Sequence, residues 1–143
     1  MMNAAEILKK YFGYDSFRKG QKDVIDALLS GRDALAIMPT GAGKSICYQV
    51  PALLLPGITL VISPLISLMQ DQVKSLNEAG IHAAFINSSL TETQIAKALA
   101  LAAGGAYKII YVAPERLESA GFVEFAVRAD ISMVTVDEAH CIS

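Results

Sequence analysis

The chain has 143 residues, enough for one compact domain with a buried core. A formal charge of −2 argues against a stand-alone basic module that holds nucleic acid by charge alone. Hydrophobic residues make up 53% with no Trp, and a mean hydropathy of +0.42 suits a parallel sheet buried on both faces, whose strands read as continuous apolar runs.

In chain order, the pattern predicts a short helix over Asn3–Lys10, closed by a turn at Gly13, and a second helix from Arg18 to Leu29 stopped by Gly31. Apolar runs then alternate with helical stretches. The predicted strands are Ala34–Met38, Thr59–Ser63, Ala83–Asn87, Lys108–Val112 and Met133–Val136. The predicted helices between them are Lys44–Leu54, Leu65–Glu78, Glu92–Ala103 and Arg116–Val127, the third opened by a capping box of Thr91 with Gln94. Repeated strand–helix–strand units imply an α/β fold, a mostly parallel sheet between two helical layers. Ligands in such folds sit at the carboxyl ends of strands.

Cys47 and Cys141 lie far apart with no CxxC pair, so neither a disulfide nor a cysteine-based metal site is implied. The start lacks the basic and apolar regions of a signal peptide, and the apolar runs are broken well short of a membrane span. The expectation is a cytoplasmic protein without a membrane partner. His82 stands alone at a strand start and reads as structural.

Met38-Pro-Thr-Gly-Ala-Gly-Lys-Ser45 lies between a predicted strand and a predicted helix. Small residues let the backbone of Thr40, Gly41, Ala42 and Gly43 wrap closely, so that several N–H groups point at one phosphate. The helix that follows adds its positive end. Lys44 would reach the outer phosphates, and the Ser45 hydroxyl would ligate magnesium. Met38 stands where the general pattern has Gly. The bland alternative is a glycine-rich turn with an incidental lysine; a strand before and a helix after weigh against it.

Asp137-Glu-Ala-His140 leaves the last predicted strand. An acidic residue there can hold magnesium through its inner waters, which is the role assigned to Asp137. Glu138 can orient and deprotonate an attacking water. His140 reads either as a coupler between nucleotide and nucleic acid or as a satisfied, partly buried histidine.

Phe12-Gly-Tyr-Asp-Ser-Phe-Arg-Lys-Gly-Gln21, Val61-Ile-Ser-Pro-Leu-Ile-Ser-Leu-Met-Gln-Asp-Gln-Val73, Tyr111-Val-Ala-Pro-Glu-Arg-Leu117 and Asp137-Glu-Ala-His-Cys-Ile-Ser143 occur in order. Together with the phosphate loop they resemble the signature of the RecQ family of superfamily 2 DNA helicases, across essentially the whole chain. The resemblance implies a P-loop NTPase of RecA-like, three-layer architecture, truncated after the acidic-motif strand. It divides the chain into N-terminal helices with an adenine-recognition segment over 1–31 and a partial ATP-binding domain over 32–143. It assigns Tyr14, Arg18 and Gln21 to adenine recognition, where an aromatic face stacks on the base and an amide donates and accepts at its edge. Lys19 stands where relatives often carry Pro. Ser63, Pro64 and Leu65, with Pro114, Glu115 and Arg116, resemble segments that touch a single-stranded DNA backbone; read without the family they are ordinary strand-to-helix turns.

The resemblance further implies ATP and Mg2+ as cofactors, and single-stranded and partly duplex DNA as partner, in DNA repair and recombination. It also implies a second motor domain carrying an arginine finger, and a further strand between the phosphate-loop and acidic-motif strands, so that this chain would be a fragment. Two alternatives remain at this stage: an RNA helicase of the same superfamily, and an inactive nucleotide-binding fragment.

Overall fold

The structure is a computed structural model that describes residues 2–31 and 45–136. The predicted strand Ala34–Met38, the loop from Thr40 to Lys44 and the acidic motif Asp137–His140 lie outside the described residues. The chain divides into two compact units, Met1–Pro56 and Gly57–Ser143.

The first unit is helical in its described residues. Helix α1 (Ala4–Ile7) opens on a capping box in which Asn3 Oδ1 accepts from the Glu6 N–H at 2.9 Å and Glu6 returns the bond to the Asn3 N–H, an arrangement that stabilises a helix start by about 1 kcal/mol. It continues as a wider π-helical turn over Leu8–Phe12 and stops at Gly13, whose φ of 76° is the left-handed conformation expected of a glycine cap. Helix α2 (Gln21–Leu29) begins three residues later than the sequence pattern suggests. Arg18–Gly20 form a turn instead, because Gly20 sits at φ 88° and the Gln21 side chain closes back on the Arg18 N–H. Helix α3 (Ile46–Leu54) follows Ser45 and carries Pro51 inside it. Ile7, Leu8, Ile25, Ile46 and Val50 form the buried core of this unit, with Phe17 packed against it.

The second unit is a four-stranded parallel sheet with helices between the strands. Its strands are β1 (Ile58–Ile62), β2 (Ala83–Ile86), β3 (Ile109–Val112) and β4 (Ile131–Val136), in the order β2-β3-β1-β4. Their connections are α4 (Ile66–Glu78), α5 (Glu92–Ala103) and α6 (Ala120–Arg128). Every residue of β3 is buried, as are four of the five residues of β1, as a strand covered on both faces requires. Phe122 and Phe125 of α6 and Ile95 and Ala102 of α5 pack on Ile58, Leu60, Ile110 and Val112. Right-handed crossovers place α4 on the opposite face, where it buries Met69, Val73 and Leu76. The sandwich of helices, sheet and helices matches the fold class that the sequence implies.

Edges are managed locally. Asn77 of α4 donates to the Ala83 carbonyl at 3.2 Å and accepts from its N–H at 3.1 Å, so an amide side chain pairs with the start of edge strand β2. At the entry to β1, Lys108 Nζ donates to the Gly57 carbonyl at 2.9 Å, while Ile58 N–H donates to the Asp130 carbonyl at 2.8 Å. Burial pushes the Lys108 ammonium pKa down, against a smaller upward pull from Asp130. Among the described residues β4 is the other edge, with Val134 and Val136 about half exposed.

One predicted helix is corrected. Arg116–Val127 is not continuous: Pro114–Arg116 make a 3-10 turn and α6 starts only at Ala120. Ser119 ends the turn by donating its hydroxyl to the Arg116 carbonyl at 2.8 Å, taking an acceptor that a continuing helix would need.

Candidate functional site

Each unit brings together its own group of candidate residues. In the first unit, the turn after Gly13 and the start of α2 bring Tyr14, Arg18 and Gln21 around one small pocket, completed by Leu8, Ser16 and Ile46. Each lining residue has a local reason to be there. The left-handed Gly13 ends the first helix and lets the Tyr14 N–H donate back to the Leu8 carbonyl at 3.4 Å. Gln21, only 3% exposed, is the first residue of α2, and its side-chain oxygen accepts from the Arg18 N–H at 2.6 Å. The Gln21 N–H in turn donates to the Arg18 carbonyl at 3.0 Å. The pocket thus has a fixed amide at its wall and a half-exposed aromatic ring, Tyr14, at its rim.

Ile46 matters for a second reason. It directly follows Ser45, which occupies the N-cap position of α3, so the pocket wall adjoins the residue at which the predicted phosphate loop ends. Ser45 is half-buried, and its carbonyl accepts from the Tyr48 and Gln49 N–H groups at 3.2 and 2.9 Å. The positive end of a nine-residue helix therefore begins at Ser45, which fits a bound polyphosphate. Of the residues expected at the phosphates and metal, only Ser45 is among those described.

In the second unit, the carboxyl ends of the parallel strands line up. Ile62 pairs with Val112, and Val112 with Ile86, so the turns after β1, β3 and β2 stand side by side. Ser63, 1% exposed, continues β1 by donating its N–H to the Val112 carbonyl at 3.1 Å. Its hydroxyl receives the Leu65 N–H at 3.4 Å, which turns the chain so that Leu65 is exposed and Pro64 half-buried. Ala113 extends β3 by donating to the Ile86 carbonyl at 3.0 Å, and Pro114, Glu115 and Arg116 follow as the 3-10 turn. Sequence-predicted residues from two distant segments, 63–65 and 114–116, are therefore brought to one edge of the sheet.

Residues that the sequence reading passed over complete both places. Leu8, Ser16 and Ile46 line the pocket; Leu8 is visible as an apolar helix position, and Ile46 as the neighbour of Ser45. At the sheet edge, buried Asn87 accepts from the Ser89 N–H at 2.9 Å and fixes the turn after β2. Gln70 of α4 donates to Ser89 Oγ at 3.2 Å. Arg116 Nη1 lies 3.2 Å from Glu92 Oε1, a pairing across 24 residues that no sequence spacing announces. Among the described residues no group of His, Cys, Asp and Glu is placed to hold a metal ion. No helix among them is long and apolar enough to cross a membrane.

Comparison with known proteins gives consistent relationships. The family model described as DEAD/DEAH box helicase matches residues 18–143. The chain is 52% identical over 141 residues to the ATP-dependent DNA helicase RecQ of Bacillus subtilis, covering 98% of this chain and 24% of that protein. It is 51% identical to the RecQ of Pasteurella multocida, again over 98% of this chain and 22% of the relative. The probable ATP-dependent DNA helicase RecS of Bacillus subtilis is 44% identical over 100% of the chain and 29% of its own length. The chain therefore spans less than a third of these relatives. A crystal structure of the DUF1998 helicase MrfA bound to DNA is similar in fold, with a TM-score of 0.68, 22% identity, and coverage of 84% of this chain and 18% of that one.

Proposed function

The chain belongs to the DEAD/DEAH box helicase family, and from that premise we propose that it is the ATP-binding part of a RecQ-type DNA helicase. The RecQ resemblance seen in its motifs is borne out by relatives at about half identity over nearly the whole chain. The complete gene product couples ATP hydrolysis to movement along single-stranded DNA and to unwinding of partly duplex DNA, in repair and recombination. A second motor domain supplies the opposing half of the ATP site. Residues 1–31 carry base recognition, and residues 32–143 belong to the ATP-binding domain.

One observation supports the nucleotide reading above others: Tyr14, Arg18 and Gln21 share a pocket with Ile46, next to Ser45. A small hollow with an aromatic rim and an anchored amide adjoins Ser45, the residue at which the predicted phosphate loop ends and α3 begins. ATP and magnesium supply the phosphoryl group and the charge that organises it. Backbone N–H groups of Thr40, Gly41, Ala42 and Gly43 cradle the phosphates, Lys44 neutralises the outer ones, and Ser45 and Asp137 hold the metal. Glu138 accepts the proton of the attacking water. Tyr14 stacks on the base, with Arg18 beside it, and Gln21 reads its edge.

The nucleic-acid reading is supported by the alignment of Ser63–Leu65 with Pro114–Arg116 at one edge of the sheet, where parallel α/β folds bind their ligands. These turns bind the strand's backbone, and His140 couples that contact to the nucleotide. The test is unwinding of a forked duplex by the complete gene product. ATP with magnesium should support strand separation, GTP should support it poorly, and an RNA duplex should remain intact. Unwinding of RNA in preference to DNA would move the assignment to an RNA helicase of the same family.

A further inference from the structure

Arg116 is the cation of the two turns read as touching the DNA backbone, and it is already engaged. Its Nη1 lies 3.2 Å from Glu92 Oε1, with the arginine side chain 21% exposed and the glutamate 84% exposed. The guanidinium Nε is buried and has no hydrogen-bond partner. The main chain holds the base of the side chain in place, since the Arg116 carbonyl accepts both the N–H and the hydroxyl of Ser119, at 3.2 and 2.8 Å. Glu92 is equally fixed in position: it is the first residue of α5, immediately after the Thr91 capping box. Two rigid backbone segments thus hold an acid against the cation, at the edge where a polyanion is to bind.

We propose that Glu92 is a positioning residue that restrains Arg116, so that an incoming phosphate must compete with this carboxylate for the guanidinium. The inference rests on the reading of Pro114–Arg116 as a DNA-backbone contact. The chemistry is competition between two anions for one fork of donors. Glu92 occupies one terminal nitrogen, so a phosphate must displace the carboxylate to engage the whole fork. Because the glutamate is mostly exposed, the restraint is weak enough for DNA to displace it. It lowers the affinity of the edge for any passing strand and makes the grip on DNA adjustable. The plainer role of Glu92, an acid favouring the positive end of α5, would give no coupling to Arg116.

The experiment is a double-mutant cycle on the complete gene product without nucleotide, reading the affinity for a fluorescent oligo-dT strand at several salt concentrations. Glu92→Gln keeps the shape and removes the charge. It should tighten binding about two- to fivefold at low salt and steepen the dependence of log affinity on log salt by up to about 0.7, the increment of one further phosphate contact on a single strand. Arg116→Gln should weaken binding, and adding Glu92→Gln to it should change nothing more. Tightening of equal size with and without Arg116 would mean a general charge effect, and would overturn the restraint while leaving the DNA-contact reading intact. Unchanged affinity in Arg116→Gln would instead overturn the reading of this turn as a DNA contact. The Glu92→Gln salt dependence is decisive by itself if the arginine variant does not fold: an unaltered slope contradicts the proposal.

Discussion

The Arg18 backbone N–H donates to the Gln21 side-chain oxygen at 2.6 Å, and the Gln21 N–H returns a bond to the Arg18 carbonyl at 3.0 Å. The amide proposed to read the base is therefore also the clasp of the turn that opens α2. This dual use separates two variants. Gln21→Ala removes the clasp, costing about 1 kcal/mol of stability, together with the base contact. Gln21→Glu keeps an acceptor for the Arg18 N–H but has no N–H to donate to an adenine edge. Because Gln21 is only 3% exposed, the new carboxylate should lower the urea midpoint as well. The ligand readout is therefore taken on the folded protein, where we expect the KM for ATP to rise roughly ten- to a hundredfold. Its preference for ATP over GTP should also shrink. Equal losses with ATP and GTP would make Gln21 a structural residue only.

Gly57, directly before β1, is the most tightly enclosed of the described glycines. At φ 77° it occupies a conformation that side chains rarely adopt, and an added Cβ would collide with the Asp130 carbonyl oxygen. The same carbonyl receives the Ile58 N–H that ties β1 to the start of β4. Gly57→Ala should lower stability by about 2–4 kcal/mol through backbone strain and displacement of that bond. Urea unfolding checks this, and a midpoint unchanged from the parent would contradict the geometry.

Cys47 is 6% exposed, and burial pushes its thiol pKa up from the ordinary value. In a Cys141→Ser background, iodoacetamide at pH 8 should label native Cys47 at least about a hundredfold more slowly than the urea-unfolded chain. The sign for stability follows from the same shift. As pH climbs past 9.0, the usual thiol value, the unfolded chain ionises before the folded one and this group's contribution falls. Rapid native labelling would show that the α3 core opens readily.

Much of this was legible in the residues because local chemistry decides it. The Thr91–Gln94 capping box and α5 stand where the sequence puts them, and β1, β2 and β3 differ by a single residue at one end or each. Two helix starts were misread for a shared reason. Arg18–Gly20 and Leu117–Ser119 have helix-compatible composition, but side-chain bonds from Gln21 and Ser119 close turns there first. β4 starts two residues before Met133 because the Asp130 carbonyl bonds Ile58, a contact across the sheet that no local pattern encodes. The pocket residues Tyr14, Arg18 and Gln21 were readable because they lie within one motif. Glu92 was not, since its partner Arg116 comes from another strand end.

The most direct test of the account is phosphate release from ATP by the complete gene product, with and without single-stranded DNA, set beside its Lys44→Ala variant. Lys44 is proposed to neutralise the outer phosphates, and the second motor domain to complete the charge stabilisation that an arginine finger provides. The account predicts slow hydrolysis alone, acceleration by at least about tenfold with single-stranded DNA, and loss of both rates in a Lys44→Ala protein that remains folded. Hydrolysis that DNA does not accelerate, or parent-level turnover by the folded Lys44→Ala variant, would contradict it.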